Sequence, residues 1–391
     1  MTPITSTADL AEFCARLEGK AFVAVDTEFM RETTYWPKLC LIQAAASGGV
    51  EATIDPLAES LDLTPFLNVL RDPHILKVFH AARQDVEIFN NLGAMPVPLF
   101  DTQIAGMAAG FGEQIAYDAL VRKLLKVELD KSHRFTDWAR RPLSDAQLTY
   151  ALADVTHLAE LYPMLRAQLE KSGRLSWVTE EMGAITDPAL YDVDPENAWK
   201  RLKPRKHTAK YLAVFRGVAA WRERTAQQRD QPRGRILKDE AIDEVAAQAP
   251  TDADAMNRLR SVPKGFAGSK FGPELIEAIR TALKDPEGYA PKIERDTTPV
   301  SPAAGAVVEL LKVLLKARSE EAGVASKLIA TVADLERIAN DDRAITPALH
   351  GWRREAFGED ALRLKRGELA LVLDGTRVRV VPVRRAPKTT D

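Results

Sequence analysis

Hydrophobic and polar positions change their spacing several times along the first 190 residues, and the changes predict alternating strands and helices. Short apolar runs predict strands at 21–29, 39–46, 50–54 and 75–79. Apolar residues three and four positions apart predict helices at 62–71, 81–92 and 145–169. The last helix carries its stripe at Leu148, Leu152, Val155, Leu158 and Leu161, and Ser144 is placed to cap it. This order predicts a three-layer α/β domain.

After about residue 190 the strand pattern stops, and the apolar stripes predict helices. They lie at 207–228, 238–248, 251–260 and 272–284. Residues 286–304 are rich in Pro and also contain Gly, Thr and Ser, which predicts a linker. A second helical block follows at 305–367, then a hairpin turning around Asp374 and Gly375. The last eight residues, 384–391, are predicted to be a loose tail.

Composition sets limits on this arrangement. The 391 residues are too many for one ordinary core, and 46% hydrophobic with 28% charged residues is typical of a globular protein. No apolar run reaches the roughly 18–20 residues of a membrane span, and the N-terminus lacks a secretory pattern. Cys14 and Cys40 alone cannot build a disulfide framework or a four-cysteine zinc site. The predicted location is therefore the cytoplasm.

Three groups of acidic or phenolic residues are candidates for chemistry, and each has a plain structural alternative. Asp26 and Glu28 lie two apart on a strand and so share a face, but D-x-E also occurs elsewhere in the chain, for example at 85–87, 194–196 and 285–287, and a strand-end or capping pair is the alternative. Tyr150 and Asp154 lie four apart on a helix and so share a face, although the pair alone is more typical of a surface acid beside a half-buried ring. Asp85 begins a helix, where an acid is favoured by the helix dipole alone.

The order of these residues changes their interpretation. D-x-E on a first strand, Asp on a later helix and Y-x3-D on a late helix resemble the tyrosine branch of the DEDD exonuclease superfamily. Thr149 stands where the sister branch would carry His. The segments VDTEFMRETTYWPKLCLIQ, FHAARQDVEIF and DWARRPLSDAQLTYALADVTHL resemble the bacterial ribonuclease D family over residues 1–190. The resemblance implies an α/β ribonuclease-H-like exonuclease domain, a mixed sheet flanked by helices, followed by two small all-α domains.

The helical part carries a resemblance of its own. Residues 205–285 resemble the helical HRDC domain shared by RecQ-type helicases and ribonuclease D. Residues 305–385, with the C-terminal hairpin, resemble a second and more divergent copy of that domain.

The resemblance implies a 3′→5′ exoribonuclease that releases nucleoside 5′-monophosphates. Phosphodiester hydrolysis builds negative charge that two divalent ions can neutralise, and all-oxygen ligands favour Mg²⁺ or Mn²⁺. By resemblance, Asp26 bridges both ions, Glu28 and Asp154 complete the ion that activates water, and Asp85 holds the second. Tyr150 would orient the attacking water.

Candidate RNA contacts lie beside the active site and in a basic stretch. Phe29, directly after Glu28, is either a stacking partner for the terminal base or a core residue. Residues 200–238 hold thirteen Lys or Arg against two acids, although the whole chain has a net charge of −2. The candidates for phosphate binding there are Arg201, Lys203, Arg205, Lys206 and Lys210. A solvated linker and a charged helix face remain the alternative, and Trp199, Tyr211 and Trp221 are expected in the helical core.

Three functions are compatible with these observations. The first and preferred one is an exoribonuclease that acts on RNA with a free 3′ end, such as tRNA precursors and other small structured RNAs. It implies no membrane and no obligate protein partner. The second alternative keeps the enzyme but makes DNA the substrate, and the third is a non-catalytic nucleic-acid-binding module. His80, His133 and His157 lack metal-ligand spacing and are predicted to lie outside the chemistry, with His157 on an exposed helix face.

Overall fold

A mixed five-stranded sheet forms the centre of the first part of the chain. The computed structural model describes residues 2–130, 132–133, 136–293 and 302–383. The strands of this sheet are β1 (Phe22–Met30), β2 (Lys38–Ala46), β3 (Val50–Ile54), β4 (Leu76–Phe79) and β5 (Leu99–Asp101). Their order is β3-β2-β1-β4-β5; β1 to β3 are antiparallel neighbours, and β4 and β5 run parallel to β1. The predicted α/β domain with a mixed sheet is confirmed.

Seven helices accompany the sheet within the described part of residues 1–190. They are α1 (Thr7–Ala15), α2 (Thr64–Arg71), α3 (Arg83–Asn91), α4 (Thr102–Ala108), α5 (Tyr117–Leu125), α6 (Asp145–Lys171) and α7 (Leu175–Ile185). The long helix α6 begins with a capping box between Ser144 and Gln147, as the sequence predicted for Ser144. It buries its predicted leucine and valine stripe against β1, β2 and β3. That contact brings the polar face of α6 to the end of β1.

The next part of the chain is helical and has a hydrophobic core of its own. Its helices are α8 (Ala209–Gln228), α9 (Arg233–Ile236), α10 (Asp239–Gln248), α11 (Ala253–Asn257), α12 (Phe271–Lys284) and α13 (Pro286–Tyr289), with 3₁₀ turns at Pro195–Arg201 and Phe266–Gly268. Tyr211 and Trp221 are buried in this core and Trp199 packs against it, so the expectation for these aromatic residues is confirmed. Tyr35, from the loop between β1 and β2, is buried in the same core.

The last described part is also helical and ends in a hairpin. It contains α14 (Pro302–Ala322), α15 (Ser326–Ile329), α16 (Val332–Asn340), α17 (Gly351–Arg353) and α18 (Glu359–Lys365), a π-helical turn at Arg354–Gly358, and strands β6 (Leu369–Asp374) and β7 (Arg377–Pro382). Its buried residues continue the core of the α/β part. At this contact Trp352 stacks on Trp177 with ring centroids 4.1 Å apart.

Two predicted segments fall partly or wholly outside the described residues. They are the central part of the linker, 294–301, and the tail, 384–391. Within the described ranges, no helix is both long and apolar enough to cross a membrane.

Candidate active site

Strand β1 carries the first two candidate carboxylates into the middle of the fold. Residues 22–25 are buried apolar positions of this central strand, and Asp26 and Glu28 follow where the strand becomes half-buried. A β-bulge lies directly after Glu28, because Glu28 pairs with Leu41 of β2 whereas Phe29 pairs with Leu39. Cys40 is therefore the extra residue of the bulge, which turns β1 at the point where its acidic side chains end.

Helix α6 supplies the third carboxylate. Asp154 lies on the face of α6 that packs against β1, and one carboxylate oxygen from each of Asp26, Glu28 and Asp154 lies within 4.8 Å of the others. Three acids at this separation, with only oxygen donors, fit a hard divalent cation better than zinc. The arrangement brings together residues that are more than 100 positions apart in the chain.

Asp85 reaches the same region from a different element. It lies in the first turn of α3 and is 6% exposed. Its Oδ1 accepts a hydrogen bond of 2.5 Å from the hydroxyl of Thr27, the residue between Asp26 and Glu28. Asp85 is not one of the three acids whose oxygens lie within 4.8 Å of each other. Its position therefore suits a ligand that is offset from that cluster.

The four carboxylates oppose one another's ionisation. Burial raises the pKa of Asp26 from 3.8 to about 6. Burial and then the charges of Asp26, Asp154 and Asp85 raise the pKa of Glu28 from 4.5 to about 9. Burial and Asp26 raise the pKa of Asp154 from 3.8 to about 8, and the pKa of Asp85 is raised for the same two reasons. A cation among them would remove this repulsion.

A cavity of about 390 Å³ opens onto two of these carboxylates, Asp26 and Asp154. Asp26, Tyr150 and Asp154 line one part of it, and Gln103, Gln114 and Asp118 contribute polar groups elsewhere. A volume of this size is within the range that proteins use for small ligands. Asp26 and Asp154 are therefore reachable through this cavity.

Tyr150 has aromatic neighbours on both sides. Its ring centroid lies 6.2 Å from that of Trp138, with an angle of 29° between the rings, and 6.2 Å from that of His133. Trp138 is 3% exposed, whereas Tyr150 is half-buried and faces the cavity. The position of the phenol thus depends on the segment that carries Trp138.

Two further residues line the cavity: Tyr117, which the sequence pattern did not single out, and His80, which it placed outside the chemistry. The Tyr117 hydroxyl donates to the backbone carbonyl of Asp154. His80 stacks beside Tyr117 and contacts the hydroxyl of Thr102 at 3.0 Å and the carbonyl of Ile115 at 3.1 Å. Burial lowers the pKa of His80 from its ordinary value, which favours the neutral ring. Tyr117 begins α5 and lies 37 positions from Asp154, so no local pattern signals that its hydroxyl will reach α6.

The structure also shows how far His157 and Phe29 are exposed. His157 is half-buried on α6, and its Nδ1 lies 3.8 Å from Glu160, so its predicted exposure is wrong. The stripe of α6 is wide enough to shelter His157. Phe29 is half-buried and, among the described residues, is not part of a hydrophobic cluster, which favours the base-contact interpretation over the core interpretation.

All five candidate phosphate-binding residues are exposed. Two of them lie near acids: Arg201 is 3.6 Å from Glu223, and Arg205 is 3.6 Å from Asp243. Lys203, Lys206 and Lys210 are exposed between and beyond these pairs. Their role in RNA binding stays a prediction.

Comparisons with known proteins agree with this geometry. A 3′-5′ exonuclease family model matches residues 1–170, and an HRDC domain model matches residues 211–279. Ribonuclease D of Granulibacter bethesdensis is 49% identical over 381 residues, 97% of this chain and 96% of that protein. Ribonuclease D of Nitrobacter hamburgensis is 52% identical over 379 residues, 97% of this chain and 98% of that protein.

A solved structure extends the agreement to the whole fold. Escherichia coli RNase D, an exoribonuclease involved in structured RNA processing, matches with a TM-score of 0.80 at 29% identity, over 93% of this chain and 99% of that one. The catalytic core of RRP6 from Trypanosoma brucei, with a TM-score of 0.53 at 23% identity, shares the fold.

The sheet, the acidic cluster and the matching family model define a 3′→5′ exonuclease, a class of hydrolase that depends on divalent metal ions. The chain belongs to the ribonuclease D family of exoribonucleases. The resemblance found in the sequence is confirmed. That residues 305–385 are a second copy of the HRDC domain stays a prediction.

Proposed function

We propose that Asp26, Glu28, Asp85 and Asp154 hold two divalent cations, Mg²⁺ or Mn²⁺, and that with Tyr150 they hydrolyse RNA from a free 3′ end to nucleoside 5′-monophosphates. The observation that carries this proposal is the cluster of three carboxylate oxygens within 4.8 Å of one another beside an open cavity. When bound, the cations would neutralise the charge that develops on the attacking and leaving oxygens and would lower the pKa of the attacking water.

The side chains of this protein divide the remaining work. The charge of Asp26 raises the pKa of Glu28, Asp85 and Asp154, so Asp26 lies near all three, which suits a ligand shared by both cations. Glu28 and Asp154 complete one site, and Asp85 belongs to the other. Tyr150, at the cavity wall, orients the attacking water, because a phenol with a pKa near 10 is a weak base at neutral pH.

Several residues position these groups. Thr27 fixes one oxygen of Asp85 through its hydroxyl, and Tyr117 holds the backbone of α6 at Asp154. Phe29 is placed next to Glu28 to stack on or wedge against the terminal base. The exposed basic residues Arg201, Lys203, Arg205, Lys206 and Lys210 bind phosphates further along the strand.

The substrates we propose are tRNA precursors and other small structured RNAs with a free 3′ hydroxyl. The E. coli relative is an exoribonuclease involved in structured RNA processing, and its fold covers nearly the whole of this chain. The helical part, including the HRDC domain at 211–279, provides the additional surface that a folded RNA needs. The cytoplasmic location stays a prediction.

End-labelled RNA tests this function. The full-length protein is incubated with 5′-labelled RNA, the same RNA carrying a 3′ phosphate, a circular RNA and a DNA of the same sequence, each with Mg²⁺ or EDTA. We expect stepwise shortening of the RNA with a free 3′ hydroxyl and no reaction in EDTA. Asp26→Asn should abolish turnover, whereas Glu59→Gln, at an exposed acid remote in sequence, should not.

Three outcomes would contradict the proposal. Rapid cleavage of the circular RNA would show an endonuclease, and equal rates on DNA and RNA would remove the preference for RNA. Turnover of Asp26→Asn near the rate of the wild type would show that the acidic cluster is not the catalytic site.

A further inference from the structure

Arg141 uses all of its hydrogen-bond donors within the protein. Its Nε and one Nη2 proton bind the two carboxylate oxygens of Asp55, each at 2.7 Å. Nη1 donates to the backbone carbonyls of Trp138 at 2.7 Å and Arg140 at 2.9 Å, and Nη2 donates to the carbonyl of Cys40 at 2.6 Å. A guanidinium has five N–H donors, so this side chain is fully committed. Such an arrangement fixes its neighbours far more strictly than a surface ion pair does.

Asp55 anchors this arrangement to the sheet. It follows β3 directly, is 6% exposed, and its backbone N–H donates to the carbonyl of Ile4 at 2.9 Å. The Oδ1 that binds Arg141 also accepts the N–H of Leu57 at 3.0 Å. Arg141 therefore connects the loop in front of α6 to a fixed point beside the sheet.

Other hydrogen bonds of the loop are local, since the backbone N–H groups of Ala139 and Arg140 bind Asp137 at 3.1 and 3.2 Å. The described residues 136–143 contain neither helix nor strand, so no regular ladder of hydrogen bonds supports them. The buried indole N–H of Trp138 has no hydrogen-bond partner within the described structure, and the ring is held by packing against Cys40, Leu41 and Leu148. The hydrogen bond from Arg141 holds the backbone carbonyl of Trp138. Arg141 thus helps to fix the backbone that carries the indole.

Both ends of this connection reach the candidate active site. The indole of Trp138 lies against the ring of Tyr150. Cys40 is the extra residue of the bulge beside Glu28, and its carbonyl accepts the hydrogen bond from Arg141. One side chain thus joins the wall behind the phenol to the strand irregularity that follows the carboxylates.

We propose that Arg141 is a positioning residue for catalysis, which holds Trp138 and the Cys40 bulge so that Tyr150 stays aligned with the carboxylates. The proposal rests on the role proposed above for Tyr150. Arg141 does not touch substrate in this scheme; it acts through the tyrosine.

A double-mutant cycle on the full-length protein tests this assignment. Single-turnover rates and RNA dissociation constants are measured for Arg141→Ala, Tyr150→Phe and the double variant. A misplaced catalytic group typically costs up to about 100-fold in rate, so we expect Arg141→Ala to slow the reaction by about 10- to 100-fold. RNA affinity should stay within about twofold. In the Tyr150→Phe background the further loss should be under about threefold, because two residues that act as a unit are not additive.

Two more variants separate positioning from charge and from folding. Arg140→Ala removes the same charge from the adjacent exposed residue, whose side chain takes no part in these contacts, and it should stay within about twofold of the wild type. Arg141→Lys keeps the charge beside Asp55 but cannot reproduce the planar, five-donor pattern, so its rate should fall between those of wild type and Arg141→Ala. If Arg141→Ala does not fold, the cycle is run with Arg141→Lys.

Each adverse outcome has one meaning. An equal loss from the Arg141 variant in both backgrounds, or an equal loss from Arg140→Ala, would overturn the assignment of Arg141 and leave Tyr150 in place. A Tyr150→Phe rate equal to wild type would overturn the role of Tyr150 and this assignment together.

Discussion

At the scale of single residues, the carboxylates of the active site lower the stability of the fold when no cation is present. The folded-state pKa values of Asp26, Asp154 and Glu28 are about 6, 8 and 9, against ordinary values of 3.8, 3.8 and 4.5. A carboxyl whose pKa rises on folding stabilises the fold below its ordinary pKa, and this contribution is lost as the pH rises through the raised value. The metal-free protein should therefore lose stability between about pH 4 and pH 9.

The pH dependence of stability is the first prediction. In EDTA the free energy of unfolding should fall as the pH rises from about 5 to about 9. Mg²⁺ should restore more stability at the upper end, because cations bind the ionised carboxylates. Asp26→Asn should flatten the metal-free slope, and Glu59→Gln, at an exposed acid, should not. Thermal unfolding across this range measures it; a metal-free slope that is flat in the wild type would contradict the repulsion.

Tyr150 and Asp154 lie on the same helix face, but replacing them should affect reaction rate and metal binding differently. Tyr150→Phe removes one hydroxyl that orients water, which typically costs about 10²–10³ in rate. Its metal binding and RNA affinity should hardly change. Asp154→Asn removes a charged oxygen from the cluster and should weaken metal binding as well as rate. Calorimetric metal titration and single-turnover rates on both variants give the comparison; equal metal binding by wild type and Asp154→Asn would argue against the cation site.

The sequence was sufficient to predict the candidate catalytic residues but not the residues that position them. Asp26 with Glu28, and Tyr150 with Asp154, are close in the chain, so strand and helix periods place each pair on one face. Tyr117 is 37 positions from Asp154, and Arg141 is 86 positions from Asp55, so no local pattern marks these contacts. Such residues become visible only when the elements are assembled.

At the scale of elements, the loop between β1 and β2 joins the active-site strand to the HRDC domain. The Tyr35 hydroxyl donates to Glu223 and accepts hydrogen bonds from Arg233 at 2.9 Å and Gln227 at 3.2 Å. Although burial opposes ionisation of Glu223, hydrogen bonds from Arg233 and Tyr35 outweigh it and lower the pKa of Glu223. The backbone N–H groups of Tyr35 and Trp36 both donate to Asp230 at 3.0 Å. Removing the helical domain would uncover this loop.

Loss of the Tyr35 hydroxyl should therefore weaken the whole fold. Tyr35→Phe leaves the buried Glu223 and the half-buried Arg233 without one shared partner, and hydrogen bonds to charged groups contribute about 1.5–3 kcal/mol. Tyr289→Phe is the matched control, because its hydroxyl bonds at 3.0 Å to Glu196, which is 36% exposed. Urea unfolding should show the larger loss for Tyr35→Phe. A larger loss for Tyr289→Phe would mean that the loop contributes little to stability.

Two of the elements that the sequence pattern did not predict are very short. The pattern predicted β1 to β4, α2, α3 and α6, but not α1, α7, or β5, α4 and α5 between residues 99 and 125. Strand β5 has three residues and α4 has seven, so neither contains enough positions to establish a period. They form because β5 pairs with β4 and because Asp101 caps α4 through two backbone N–H groups. These are consequences of tertiary position.

At the scale of the whole molecule, both ends of the helical region attach to the α/β part. Tyr35 secures the HRDC domain, and Arg353 contacts Glu180 and Glu181 of α7 beside the stack of Trp177 on Trp352. The sequence predicted three regions and a linker, but it could not predict that residues from α14 to α18 would extend the core of the α/β part. Periodicity identifies an apolar face without naming the surface that covers it.

Because the regions are joined in this way, RNA binding by the basic stretch is best tested on the intact chain. Lys203, Lys206 and Lys210 are exposed, whereas Arg201 and Arg205 lie near acids and are left unchanged. Each phosphate contact on single-stranded nucleic acid contributes about 0.7 to the slope of log K against log salt. Replacing the three lysines with Ala should weaken RNA binding and reduce the slope by up to about 2.

The matched control removes the same charge elsewhere. Lys171, Lys284 and Lys312 are partly or fully exposed on other helices, so their triple Ala variant changes the net charge equally. RNA affinity measured by fluorescence anisotropy across a range of salt concentrations separates the two cases. A local phosphate path predicts a smaller slope only for the first triple. If both triples lowered the slope equally, the attraction would come from net charge, and the basic stretch at 200–238 would be a solvated surface.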